Sequence, residues 1–262
     1  MNPSFRFRKQ TFAIAVAMLA PLCASAASTL MTWTVDGTER QAIVYAPAHP
    51  NGKAPLIFSF HGHGDTMDNF QDVDLQHAWP EAIVVYPLGL PTSRASEPAL
   101  PGWQLEKGKY GDRDLKLVDQ ALAALHHKFS IDDTRVYATG FSNGANFTYL
   151  LWAERPATFA AFAPVAARLA PSVAPQIPKP LLHIAGLNDG TIPFAAQKQA
   201  IDAARRVNHV SDKAEACGPN CMLYSSRNGA PVMTIIHRGG HEYPLGTSER
   251  IVQFFQAHRL GD

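Results

Sequence analysis

The stretch Arg135-Val136-Tyr137-Ala138-Thr139-Gly140-Phe141-Ser142-Asn143-Gly144-Ala145 decides how this chain is read. Arg135 to Thr139 has the composition of a strand buried in a sheet, and the residues after Ser142 read as a helix. Between them stands Gly-x-Ser-x-Gly, the pattern of a nucleophile elbow, in the strand–turn–helix context that the motif requires. The turn is so tight that side chains two residues either side of the serine meet the neighbouring strand and helix, hence Gly140 and Gly144. The helix start behind Ser142 also offers N–H groups and the positive end of a dipole to a developing anion. An ordinary Gly-Ser turn is the competing explanation, and the flanking strand and helix argue against it.

Outward from the elbow, apolar runs predict strands at Gln41 to Ala46, Leu56 to Phe60, Ala82 to Tyr86, Phe159 to Val165, Leu181 to Ala185 and Val232 to His237. Several are continuously apolar, as strands covered on both faces must be. Leu115, Val118, Leu122, Leu125 and Phe129 step by three and four, predicting a helix whose first turn carries Asp112 and Asp114 where the dipole favours acids. His126 and His127 fall near the end of that helix and receive no catalytic role. Ile251, Phe254 and Phe255 mark a closing helix. The Pro-rich stretch Ala170 to Pro180 lies between apolar strands and reads as a surface loop rather than a linker. The class is α/β, a mostly parallel central sheet flanked by helices on both faces, with functional loops at the strands' C-terminal edge.

A serine hydroxyl is a weak nucleophile, so a base must take its proton and a further group must orient that base. Asp189 follows the strand Leu181 to Ala185, within Gly186-Leu187-Asn188-Asp189-Gly190, and His241 follows the strand Val232 to His237, within Gly239-Gly240-His241-Glu242. Ser142, Asp189 and His241 thus stand in the chain order of the α/β-hydrolase fold, each after its own strand. Asn-Asp-Gly is also good turn chemistry and a lone loop histidine is usually solvated; the joint placement outweighs both. His61-Gly62-His63-Gly64 follows the strand Leu56 to Phe60. It assigns the second oxyanion donor to the His63 N–H beside that of Asn143, with His61 tying the loop together. His61-x-His63-x-Asp65 also opens like a metallohydrolase motif, but Thr66 stands where another histidine is needed and no further ligand cluster follows. No metal and no cofactor is expected.

With Val85-Tyr86-Pro87, Ser142-Asn143-Gly144-Ala145 and Gly240-His241, the chain resembles the secreted α/β-hydrolase esterases that include poly(3-hydroxybutyrate) depolymerases and feruloyl and acetylxylan esterases. The resemblance implies a serine esterase acting on a small-molecule or oligomeric ester through an acyl-enzyme. Its activity should fall as pH drops through about 6 to 7, where a histidine base charges. After Glu242 stands Tyr243, where these relatives commonly have tryptophan; Trp103 and Tyr243 are the candidates for an aromatic rim that binds substrate. A serine peptidase of the same fold and a catalytically silent binding module are the alternatives, and the intact Ser142, Asp189, His241 set argues against the second.

Residues 1–26 read as a secretory signal peptide, with Arg6, Arg8 and Lys9 before an apolar run and Ala24-Ser25-Ala26 at the cleavage site. About a dozen apolar residues are too few to span a bilayer, so no stable membrane anchor is expected. Residues 27–262 are long enough for one catalytic domain. The leader takes three of the 23 basic and none of the 22 acidic residues, leaving a net charge of −2 with neutral histidines, which gives no nucleic-acid footprint. Export to the periplasm or the medium makes a disulfide the natural reading of Cys217-Gly218-Pro219-Asn220-Cys221.

Overall fold

The computed structural model describes residues 27–48, 51–94 and 97–261; the leader predicted at 1–26 lies outside the described residues. The chain opens with the hairpin β1 (Ala27–Val35) and β2 (Thr38–Ala46), then β3 (Ala54–Phe60), the short helices α1 (Met67–Phe70) and α2 (Leu75–Ala78), and β4 (Ile83–Pro87). A separate hairpin, β5 (Leu90–Arg94) and β6 (Glu97–Gly102), leads to α3 (Arg113–Lys128), β7 (Ile131–Phe141) and α4 (Asn143–Glu154). There follow β8 (Ala161–Val165), β9 (Leu181–Gly186), α5 (Phe194–Val207), the hairpin β10 (Val210–Gly218) and β11 (Cys221–Ser226), β12 (Val232–His237) and α6 (Thr247–Gln256).

Ten strands form one sheet in the order β1-β2-β4-β3-β7-β8-β9-β12-β11-β10. The six from β4 to β12 run parallel, and antiparallel hairpins extend both edges. All seven residues of β3 and all five of β4 are buried, because helices cover both faces. Leu56, Phe58 and Phe60 point to the side covered by α3, α4 and α5, while Ile57 points to the side covered by α1, α2 and α6. The chain leaves β3 for β4 on one side and returns to β7 on the other, so the strand order reverses at β3. A crevice opens at such a reversal, beyond the C-terminal ends of the strands.

Two stretches depart from the simple alternating pattern. Asp114 is a fully buried partner of Arg40, at 2.8 Å, rather than an exposed acid serving the helix dipole. Its other oxygen accepts the Gln104 N–H at 2.8 Å, so the pair pins the loop after β6 to α3. Helix α4 has ten successive buried residues, from Asn143 to Trp152. The Ala170 to Pro180 loop covers its outer side, with the Trp152 indole donating to Ile177 O at 2.7 Å. Cys217 and Cys221 are joined by a disulfide at the tip of the β10–β11 hairpin.

Candidate active site

Ser142 is the residue between β7 and α4, held at φ 54°, ψ −114°, a backbone conformation that costs of order 1–3 kcal/mol and persists only where its surroundings enforce it. The enforcement is close packing. A Cβ on Gly144 would stand 2.1 Å from the carbonyl oxygen of Phe60, so only glycine lets α4 start against the end of β3. The Ser142 N–H donates to Val165 O at 2.9 Å, tying the turn to β8 as well.

The Ser142 Oγ lies 2.8 Å from His241 Nε2, and His241 Nδ1 lies 2.8 Å from Asp189 Oδ2. Three loops therefore converge from the ends of β7, β9 and β12. The last two are stitched together: Leu187 N–H donates to His237 O at 2.8 Å and Asn188 N–H to Gly239 O at 3.0 Å. Gly186 permits that approach, since a Cβ there would stand 2.3 Å from Gly240 O. The His241 ring rests on Phe141, centroids 4.9 Å apart.

Asp189 is almost wholly buried. Burial alone would raise its proton affinity, but hydrogen bonds from His241 and from the N–H groups of Ile192 (2.7 Å) and Thr191 (2.8 Å) outweigh it and hold the carboxyl below its ordinary range. Gln197 Nε2 donates to the same Oδ2 at 2.9 Å. The acid is thus a fixed carboxylate facing the imidazole, the arrangement that keeps a proton on Nδ1 and leaves Nε2 free to accept one.

His61 ties the neighbouring loop as its sequence position suggests. Its Nε2 accepts the Gly89 N–H at 2.9 Å, so the ring proton sits on Nδ1, 2.6 Å from Gly62 O. Burial lowers the imidazole's proton affinity and keeps it neutral. Beside it, neither the His63 nor the Asn143 N–H donates to a protein group among the described residues, so both are free for an incoming oxygen. The Asn143 side chain clamps Trp103 at two points: Oδ1 accepts its N–H at 2.7 Å and Nδ2 donates to its carbonyl at 3.3 Å.

Of the residues expected in an aromatic rim, Trp103 is almost wholly buried yet lines the smaller of two cavities at the site. Trp103 is 1 % exposed, stacked on Phe147 and edge-on to Phe60, with its indole donating to His61 O at 2.9 Å. The Asn143 clamp holds its backbone, and the ring braces the His61 to Gly64 loop from beneath. Tyr243 sits edge-on behind Phe141 and Phe70, its hydroxyl 3.0 Å from Ser248 Oγ, and supports the floor under His241. The surface beside Ser142 is instead a cavity of about 480 Å³ bounded by Leu105, Asn146, Arg168, Ile192, Pro193 and Ala196. A second cavity, about 250 Å³, is bounded by His63, Trp103 and Asn143 and shares Leu105.

No protein-family model matches the chain. In sequence it is 28% identical over 207 residues to the bifunctional acetylxylan esterase/xylanase of Neocallimastix patriciarum, covering 72% of this chain but only 28% of that protein. It is 26% identical over 233 residues to feruloyl esterase C of Emericella nidulans, covering 81% of this chain and 80% of the relative. Its fold matches acetyl xylan esterase from Aspergillus awamori at a TM-score of 0.66 and 16% identity, over 87% of this chain and 99% of that one. The feruloyl esterase module from Clostridium thermocellum matches at 0.64 and 14% identity, over 97% and 96%. The chain has the α/β-hydrolase fold and is similar in sequence to these esterases.

Sequence reasoning placed His63, Trp103 and Asn143 at the site but missed Gln197 and the walls of the larger cavity. A signal for Gln197 existed: Gln197, Ala200, Ile201 and Ala204 recur at helical spacing and form the buried stripe of α5, with a polar amide at its first position. The histidine-rich segment His61 to Asp65 builds no metal site, and among the described residues no cluster of His, Cys, Asp and Glu could hold one. No described helix is long and apolar enough to cross a membrane.

Proposed function

We propose that this α/β-hydrolase is an exported serine esterase that cleaves carboxylic esters through an acyl-enzyme, with Ser142 as nucleophile, His241 as general base and acid, and Asp189 as the group that orients the imidazole. The observation that carries the reading is the unbroken line from Ser142 Oγ to His241 to Asp189, each link 2.8 Å. Ser142 Oγ attacks the ester carbonyl carbon while His241 Nε2 takes its proton. The carbonyl oxygen, now anionic, receives the His63 and Asn143 N–H groups, and each such donor is worth about 10²–10³ in rate. Collapse expels the alcohol, which leaves with the proton from His241. Water then attacks the acyl-serine by the same route and restores the free enzyme.

The acetylxylan and feruloyl names of the relatives favour acetyl and hydroxycinnamoyl esters. A cavity of about 480 Å³ against the serine is within the usual range for small ligands, so the larger acyl group is compatible with it. Arg168 favours a second substrate reading. It lines that cavity and has no ion-pair partner among the described residues, so a short hydroxyalkanoate oligomer ending in a free carboxylate would gain a counter-ion there. Export rests on the leader reading of 1–26 together with a disulfide, which suits an oxidising compartment.

The test is a panel of chromogenic esters with acetyl, hydroxycinnamoyl and 3-hydroxybutyryl groups, assayed with the wild type and Ser142→Ala, and a fluorophosphonate label. The expected result is turnover and labelling by the wild type, with both lost in the variant while the fold is retained. Unchanged hydrolysis by Ser142→Ala would move the nucleophile elsewhere.

A further inference from the structure

Beneath the catalytic acid lie two buried polar atoms without a well-formed hydrogen bond, Gln197 Oε1 and His183 Nε2. Both side chains are fully buried, where an unmet polar group is costly. The rest of each side chain is committed. Gln197 Nε2 spends its two hydrogens on Asp189 Oδ2 at 2.9 Å and Ile192 O at 2.8 Å, which fixes the amide so that Oε1 faces away from the acid. His183 Nδ1 meets the Tyr149 hydroxyl at 2.7 Å, which leaves Nε2 over. The Gln197 side chain stands near enough to His183 to favour its protonated form, as an accepting amide oxygen would, so each unmet atom is the partner within reach of the other.

We propose that Tyr149, His183 and Gln197 form a buried relay of hydrogen bonds that fixes the orientation of Asp189, with Gln197 as its positioning residue. The inference rests on the serine-esterase reading of Ser142, His241 and Asp189. Every proton in the relay has one place to be. The Tyr149 phenol is driven far above its ordinary range by burial and remains a donor, so it donates to His183 Nδ1. His183, pushed down to about 4 by burial, stays neutral with its proton on Nε2, pointing at Gln197 Oε1. Gln197 then donates to Asp189. From the other side His241 donates to the same oxygen. The negative charge of Asp189 is met by neutral groups whose polarity all runs toward it, and hydrogen bonds in such a chain polarise one another in a dry interior.

The relay also crosses elements. Tyr149 lies seven residues beyond Ser142 on α4, about two turns. His183 is in the middle of β9 and Gln197 is on α5. The helix that starts at the nucleophile is therefore joined through the core to the loop that carries the acid. No member of the relay touches substrate, so its effect is on geometry and charge at Asp189.

The experiment compares the wild type with Gln197→Met, which keeps size but removes the amide, and Tyr149→Phe, which removes only the far hydroxyl. Three things are measured: kcat and KM across pH, the low-field proton resonance of His241 Nδ1–H, and the melting temperature. A hydrogen bond to a charged group is worth roughly 10- to 100-fold. Gln197→Met is expected to lower kcat by that factor with KM within about twofold. Loss of the donor leaves the carboxylate charge less dispersed, so the acid limb of the pH profile moves upward and the resonance shifts. Tyr149→Phe is expected to move all three in the same direction by a few-fold less, and it keeps the test alive if Gln197→Met fails to fold. A variant that loses only thermal stability, with kcat, acid limb and resonance unchanged, overturns the relay. The resonance needs no turnover, so a wild type inactive on every ester would count against the esterase reading without deciding this one.

Discussion

Acid weakens this fold through one buried imidazole that resists protonation. His183 is wholly inside β9, and burial pushes its imidazole down to about 4 from an ordinary 6.5. In the unfolded chain the ring takes a proton as pH falls through about 6.5, whereas in the folded chain it waits until about 4. At neutral pH both forms are uncharged and the shift contributes nothing. Between the two values the unfolded state holds one more proton, so stability falls by about 1.4 kcal/mol per pH unit. Over the window this amounts to about 3 kcal/mol, a large share of the 5–15 kcal/mol that holds a typical domain together. The assay is urea unfolding followed by circular dichroism at half-unit steps from pH 7.5 to 4.0, with the disulfide intact, on the wild type and His183→Gln. Other groups titrate in both proteins, so the difference in slope isolates the imidazole. The wild type is expected to lose about 3 kcal/mol more than the variant on going from pH 7 to pH 4. Parallel stability curves would refute the argument, because they would mean the ring is as easily protonated in the fold as in water.

Removing the carboxylate of Asp114→Ala strands the Arg40 guanidinium inside the protein and is expected to cost about 3–5 kcal/mol, read as a fall in the urea midpoint. Replacing Cys217 and Cys221 by serine opens a very short loop at the tip of an edge hairpin, so unfolding should become easier by at most about 2 kcal/mol with ester hydrolysis unchanged. Arg168→Gln should reduce the preference for esters whose acyl part carries a free carboxylate by about two- to fivefold, the value of a partly exposed ion pair, and leave neutral esters alone; an unchanged ratio of kcat/KM would remove the arginine from substrate binding.

The parallel centre of the sheet was legible because its strands are covered on both faces and so are apolar throughout; β3, β4, β9 and β12 all lie where such runs predicted them. Of the edge hairpins only β2 was read, as Gln41 to Ala46; β1, β10 and β11 escaped, because exposed strands alternate and carry charge, as Val210–Gly218 does. Helix α5 escaped for a different reason: its buried stripe is two alanines, one isoleucine and one glutamine, too weakly apolar to stand out. At the site, short-range grammar placed Ser142, Asp189 and His241 after their own strands, and the structure brings them within hydrogen-bond reach. What local pattern could not convey was which way a tryptophan turns. The Trp103 indole donates to His61 O and the Tyr243 hydroxyl meets Ser248 Oγ, and an aromatic ring with a polar handle follows the handle.

Leu105 belongs to both hollows beside Ser142. One isobutyl group is thus the party wall between the room next to the serine and the room next to His63 and Asn143. Shaving it to alanine would merge the two into a single trough, and enlarging it to phenylalanine would narrow both. The sizes of the groups that the two rooms admit are therefore mechanically linked at this position, and directed change of one will drag the other with it.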